Sequence, residues 1–414
     1  MKILFISNLA SIHTARWVSQ LQGMGWDVHC FHAIVNLAKI RSQLAFSTIY
    51  APYPVLNSNQ PDWNVQNTLP IYPRLISLSQ YFYHKFFSQD DLQYKHIEFL
   101  AQLIKDLKPD VIHSLGLNVN WVNLCKPVLQ ARMLLGNAFG SSWIYSSWGA
   151  DLDHYAQTSK EHHSEVEKVL RACNYYIAEC RRDLRLAREM GFSGEFLGFL
   201  PAFGGIDWEL CKKLRQREKA SARKIILLKG RDQGSGDPQG RALIAIQALE
   251  GCADLLSGYE IYVAQAGKNI IKAAETLRND KGLNIKILPF SSYSDWLEIV
   301  ARSRVVICLT VSDGLPGTLV ETMALGACVL HSDLEPIREW ITDGQNGLLV
   351  PPEDLDTIIP ALRRALTDDN FVERASELNA VIVENKLSDS FIRPKIIELY
   401  QQVAESNKAH RAVT

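Results

Sequence analysis

Apolar residues fall along this chain in short runs, and most of the runs are separated by stretches with helical spacing. Ile3 to Ile6 reads as a first strand. Trp17, Val18, Leu21 and Met24 then recur at helical intervals, Gly25 stops the helix, and Trp26 to Phe31 is the next strand. Asp110 to Gly116, Trp143 to Asp151 and Tyr175 to Ala178 read as further strands or strand ends. The helix carrying His162 and His163 reads as charged and solvated. Residues 41–90 depart from this rhythm: Pro52, Pro54, Pro61, Pro70 and Pro73 interrupt them. The aromatic run Tyr81 to Phe87 reads as a core helix under a long loop, with an acceptor or membrane-surface patch as the other reading.

The rhythm resumes after a charged connector, Lys212 to Lys224. Ile225 to Leu228, Glu260 to Ala264, Ile285 to Leu288 and Val305 to Leu309 are strand-like, and Trp296 to Ala301 is helical. A helix ends at Leu325, Gly326 stops it, and Ala327 to Leu330 follows as a strand. Glu335 to Ile341 reads as a helix, 343–347 as a tight turn and Leu348 to Val350 as a strand. Leu355, Ile358, Ile359, Leu362 and Leu366 mark another helix, with a kink expected at Pro360. A last helix runs from about Phe391 to Val403. Strands alternating with helices predict an α/β chain with parallel sheets.

The chain has 414 residues, more than one core usually supports, so two domains are expected. A net charge of −1 gives no electrostatic case for nucleic acid. No run of eighteen apolar residues occurs, and the N-terminus reads as a strand rather than a leader. The eight cysteines form no C-x-x-C pair, which predicts reduced thiols in the cytoplasm. No His, Cys or Asp cluster has metal-site spacing, so neither metal nor cofactor is expected.

Candidate chemistry concentrates at residues 312–321. Ser312 and Asp313 are cap-type residues, and Pro316 suits the first helical position. The first N–H groups of a helix lack intrahelical partners, and its dipole favours an anion there. Gly314 and Gly317 would let a phosphate approach the backbone. Glu321 sits among Leu319, Val320, Met323 and Leu325, where a carboxylate needs donors, such as a ligand's hydroxyls. Taken alone, the turn also reads as a simple cap followed by a surface glutamate.

The segment Asp313-Gly-Leu-Pro-Gly-Thr-Leu-Val-Glu321 resembles the E-x7-E segment of the GT4 family of retaining glycosyltransferases, with Asp in place of the first Glu. The resemblance implies that Asp313 contacts the donor sugar, Glu321 the ribose, and Gly314, Leu315, Pro316, Gly317 and Thr318 the diphosphate. It implies that Lys229, Arg231 and Arg241 neutralise the leaving diphosphate, and that Gly267 and Leu288 lie near the base. In the N-terminal half, Asp110-Val-Ile-His113-Ser-Leu115 resembles D-V-I-H-x-H, with Leu115 replacing the second histidine. His113 is thereby a catalytic candidate, with a structural histidine at a strand end as the alternative. Trp148-Gly149-Ala150-Asp151 resembles W-G-S-D and points to the acceptor, as does His13 in a first turn that carries no glycine.

The implied fold is GT-B: two Rossmann-like domains with parallel sheets facing across a central cleft. The expected domains are 1–205 for the acceptor, 206–390 for the donor, and 391–414 as a helix returning to the first. The implied activity is metal-independent transfer of a hexose, with retention, from a nucleotide-sugar such as UDP-glucose to a saccharide or lipid-linked acceptor. Polysaccharide synthesis in the cytoplasm, peripheral to the inner membrane face, would be its setting. A non-catalytic GT-B subunit and a nucleotide-sugar epimerase are the alternatives; Leu115 and the glycine-free first turn keep the former open.

Overall fold

The computed structural model describes the chain except for residues 37–39, 54–63, 69–88, 117, 120–121, 216, 234–238, 290–291 and 414. The aromatic run Tyr81 to Phe87 lies outside the described residues. The chain divides into two compact units, one made of residues 1–204 and 393–414, the other of residues 205–392.

Among the described residues the first unit has ten strands: β1 Lys2–Ser7, β2 Asp27–His32, β3 Thr48–Ala51, β4 Val65–Asn67, β5 Val111–Leu115, β6 Asn118–Val119, β7 Val122–Asn123, β8 Ser142–Ser146, β9 Tyr175–Ala178 and β10 Glu195–Phe199. Eight of them form one sheet in the order β10-β9-β8-β5-β1-β2-β3-β4, and every pairing in it is parallel. Strands β3 and β4 fall inside the stretch that the prolines made unreadable. Side chains alternate between faces. Leu4, Ile6, Ile112, Trp143 and Tyr145 pack on one face with Leu100, Ile104 and Val128. Phe5 and His113 point to the other face, where they meet Trp17 and Tyr400. Tyr400 belongs to the terminal helix Asp389–Val413. The helix Lys160–Ala172 is not wholly solvated: His162 is buried, with Nε2 3.0 Å from the carbonyl of Asp151.

Among the described residues the second unit has six strands: β11 Ile225–Lys229, β12 Glu260–Ala264, β13 Ile285–Leu288, β14 Ser303–Cys308, β15 Cys328–Ser332 and β16 Leu348–Val350. They lie in the order β13-β12-β11-β14-β15-β16, all parallel. The direction of winding reverses between β11 and β14, and open sheets of this kind place ligands at the carboxyl ends of the strands flanking that point. Ile226, Leu228, Val305, Ile307 and Leu330 bury one face against the helices Ala242–Glu250 and Leu355–Thr367. The helix Leu355–Thr367 runs through Pro360. The helix Gly317–Leu325 covers the opposite face, packed on β15 and on the helix Asp369–Lys386.

Candidate functional site

The carboxyl ends of β11 and β14 are joined by their loops. Arg241 N–H donates to the Leu309 carbonyl at 3.0 Å, and Val311 N–H to that of Gln239 at 3.0 Å. Gly240 lies so close to Arg231 that a Cβ there would stand 2.2 Å from the Arg231 carbonyl oxygen. These contacts bring Lys229 and Arg231 beside the turn from Thr310 to Pro316. Lys229 is half-buried and forms no ion pair among the described residues, and Arg231 is exposed. The Arg241 guanidinium is instead engaged by Glu353 at 2.5 Å and by the carbonyls of Gln239 and Gly240.

The turn corrects two details. The helix begins at Gly317, one residue later than its sequence suggests, and Pro316 is its N-cap, with an extended ψ of 133°. Proline has no side-chain acceptor, so the N-cap residue makes no side-chain cap. Neither Ser312 nor Asp313 caps the helix: Ser312 O accepts from the Thr310 hydroxyl, and Asp313 Oδ1 accepts from Gly314 N–H at 2.9 Å. Gly314 and Gly317 do not have left-handed backbone, so turn geometry does not require glycine at either place. The far end of the helix is closed at Gly326, whose φ of 77° suits glycine. Two guanidiniums meet the last carbonyls: Arg223 donates to Leu325 O at 2.9 Å and Arg215 to Ala324 O at 3.4 Å. Cations at the C-terminus reinforce the dipole whose positive end faces the turn.

Glu321 is buried, 6% exposed. It accepts from the indole N–H of Trp296 at 2.7 Å. The protein thus supplies a donor that sequence reading assigned to a ligand. A carboxylate offers about four lone-pair directions, so one indole does not exhaust it. Gly267 caps the helix Lys268–Lys281, and Leu288 ends β13; both stand at the same carboxyl edge of the sheet as Lys229.

In the first unit, His13 and Trp148 come together, with ring centroids 5.8 Å apart. His13 stands in the first turn of its helix, where its N–H is capped by the Ser11 hydroxyl. Asp151 is buried and accepts from Trp148 N–H at 3.0 Å, so it closes its own turn. Gly149, with φ 45°, donates to Glu179 Oε2 at 2.7 Å, and its carbonyl accepts from Arg182. Sequence reading passed over Glu179 and Arg182. Their signal was present: an acid directly follows the apolar strand Tyr175–Ala178, at the edge where parallel sheets carry their sites.

His113 is not exposed to any ligand, with no accessible surface. Trp17 Nε1–H donates to the Tyr400 hydroxyl at 2.8 Å, so that hydroxyl's own proton goes to His113 Nδ1 at 2.6 Å. Nε2 therefore carries the ring proton and donates to Ser146 Oγ at 2.7 Å. Burial pushes the imidazole down to about 3, so it stays neutral. Both nitrogens are committed to structure, which removes His113 from the catalytic candidates.

The Glycosyl transferases group 1 family model matches residues 245–381, and the Glycosyl transferase 4-like model matches residues 2–52. Phosphatidyl-myo-inositol mannosyltransferase of Mycolicibacterium smegmatis is 37% identical over 90 residues, 21% of this chain and 22% of that protein. The enzyme of that name from Mycobacterium leprae is 28% identical over 187 residues, 44% of this chain and 48% of its own. The chain thus spans from about a fifth to about half the length of these curated relatives. Sucrose-phosphate synthase from Thermosynechococcus elongatus superposes with a TM-score of 0.69 at 14% identity, covering 98% of this chain and 100% of that one. Anabaena HepE in complex with UDP gives 0.64 at 15% identity, covering 99% and 100%. The two doubly wound units are those of a GT-B protein. Within that fold, residues 245–381 are similar to the group 1 glycosyl transferases and residues 2–52 to the glycosyl transferase 4-like proteins.

Proposed function

We propose that the chain is a retaining glycosyltransferase that binds a nucleotide-sugar in its second unit and passes a hexose to a saccharide or lipid-linked acceptor. The observation that carries the donor assignment is the joining of the β11 and β14 loops. It sets Lys229 and Arg231 beside a helix N-terminus whose N-cap, Pro316, makes no side-chain cap, nine residues' length of helix away from two capping arginines. Diphosphate is the anion that suits a helix dipole flanked by cations. In this reading Gly314 to Thr318 receive it, Asp313 meets the sugar, and the Glu321 carboxylate takes the ribose hydroxyls. Gly267 and Leu288 border the base. His13, Trp148, Gly149 and Asp151 serve the acceptor, with Glu179 and Arg182 holding that turn in place.

Little covalent work falls to the protein. Cations and dipole stabilise charge that develops on the departing diphosphate, a role that needs no metal in this scheme. UDP-glucose is the donor we propose; the relatives named as mannosyltransferases make GDP-mannose the competitor to include. The acceptor we propose lies at the inner face of the cell membrane, reached by peripheral association; among the described residues no helix is long and apolar enough to cross a membrane.

Calorimetric titration with UDP-, GDP- and ADP-sugars, on wild type and Glu321→Ala, tests this. Micromolar binding of one nucleotide class, lost in the variant and unchanged by EDTA, is expected. A folded protein that binds none of them overturns the proposal. With a donor in hand, the anomeric configuration of the product by NMR decides retention.

A further inference from the structure

The helix Tyr293–Arg302 begins shortly after β13, and a reciprocal cap closes its first turn: Ser292 Oγ accepts from Asp295 N–H, and Asp295 Oδ2 from Ser292 N–H, both at 3.2 Å. Trp296 N–H donates to the Ser292 carbonyl at 3.0 Å, and Leu297, Val300 and Ala301 bury the inner side of the helix. The backbone of Trp296 is thus fixed from both directions. Its half-buried indole reaches the neighbouring helix Gly317–Leu325, where Nε1–H donates to Glu321 Oε2 at 2.7 Å. Every residue from Leu319 to Leu325 is buried, so the indole meets the carboxylate in an interior stretch.

An indole offers one N–H and no acceptor. It does not ionise, so it orients a carboxylate without cancelling its charge, as an arginine or a lysine would. A carboxylate anchored at Oε2 cannot turn about its Cγ–Cδ bond without breaking that hydrogen bond, and Oε1 is thereby held at one position. Hydrogen bonds to a charged oxygen are about twice as strong as neutral ones. A hydroxyl that meets a fixed, charged oxygen gains more than one that must first immobilise a turning side chain. In the donor reading the end of β13 borders the base and Glu321 meets the ribose. The indole ties the helix that follows the first to the acid that serves the second.

We propose that Trp296 is a positioning residue for nucleotide recognition, a role that rests on the donor reading above. By fixing Glu321 it sets how strongly the site prefers a ribonucleotide to the deoxyribose forms of the same nucleotide. Trp296 acts through the carboxylate rather than on the sugar, and no bond is made or broken.

The test is calorimetry of UDP, GDP and ADP, each beside the two deoxy forms that lack one or the other ribose hydroxyl. Wild type is expected to bind the ribonucleotide of its own base class about tenfold or more tighter than at least one deoxy form, the worth of a hydrogen bond to a charged group. Trp296→Phe keeps an aromatic ring and removes the donor; the preference should shrink by about two- to tenfold, towards that of Glu321→Ala. Trp296→His returns a ring N–H and should recover part of it. Trp296→Phe added to Glu321→Ala should change the preference no further. If Trp296→Phe weakens every form equally and keeps the ratio, its role is merely structural and the inference is overturned. Where the variant fails to fold, wild type still answers: the Trp296 indole N–H resonance should move with the ribonucleotide and move less with the form lacking both hydroxyls. Equal movement with both overturns the inference. Nucleotide binding with no ribose preference overturns it too, yet leaves the diphosphate site standing. Absence of all nucleotide binding overturns the donor reading, and this inference with it.

Discussion

Single residues separate the two carboxylates of the turn. Glu321 is buried and held by Trp296, whereas Asp313 is half-buried and folded onto its own backbone. Trp296→Phe keeps the ring and removes the donor, leaving a buried carboxylate short of a partner. We expect it to lower stability by about 1–3 kcal/mol and to weaken nucleotide affinity, read by urea unfolding and calorimetry. Tyr400→Phe leaves Trp17 and His113 unsatisfied in the interior of the first unit. It should cost about 1–3 kcal/mol and leave nucleotide affinity unchanged; a loss of affinity would contradict the structural role given to His113. Glu321 was legible because a carboxylate inside an apolar helical stripe stands out in one dimension. Its partner was not, being 25 residues away with no local signal. The two readings of His113, catalytic or structural, could not be separated for the same reason: the motif around it is visible, but the hydroxyl that occupies it comes 287 residues later.

Elements with a clear period were legible, and those with a blurred one were not. The strands of the second unit and the C-terminal end of the helix Gly317–Leu325, stopped by Gly326, are sharply bounded in the sequence. Strand β3 is four residues among prolines. The helix Asp369–Lys386 escaped notice because its buried stripe mixes Phe371, Val372 and Val383 with Ser376 and Asn379. The start of the helix at 317 was displaced because a proline suits the first helical turn and the N-cap alike. The C-terminal end of that helix makes a testable claim. Arg223 is 2% exposed and bonds to backbone carbonyls of Glu218, Ser303, Leu325 and Arg215. Arg223→Met leaves several of them unsatisfied, and a loss of about 2–4 kcal/mol is expected by chemical denaturation. Gly326→Ala combines a left-handed φ with a Cβ placed 2.5 Å from Ser376 Oγ; about 1–2 kcal/mol should be lost.

On the scale of the whole molecule, burial in the first unit keeps His32, His96 and His113 neutral. It pushes His32 and His96 down to about 4 and His113 to about 3. An unfolded histidine takes a proton near pH 6.5, where these cannot. The unfolded state therefore binds more protons between about pH 6.5 and 3, and stability falls as pH is lowered through that window. Every tenfold by which folding weakens a proton's hold is worth about 1.4 kcal/mol, so the loss should reach several kcal/mol, measurable as urea midpoints from pH 7 to 4. His113→Asn is expected to flatten part of that dependence. The split composition of the first unit has a consequence in time. A ribosome delivers residues 1–204, then all of the second unit, and only then Tyr400. Until residues 393–414 emerge, Trp17 Nε1–H and His113 Nδ1 have no hydroxyl to meet. The first unit is thus begun before the second and finished after it, and a released chain truncated after Ile392 would present a completed second unit and an unsealed first one to chaperones and proteases.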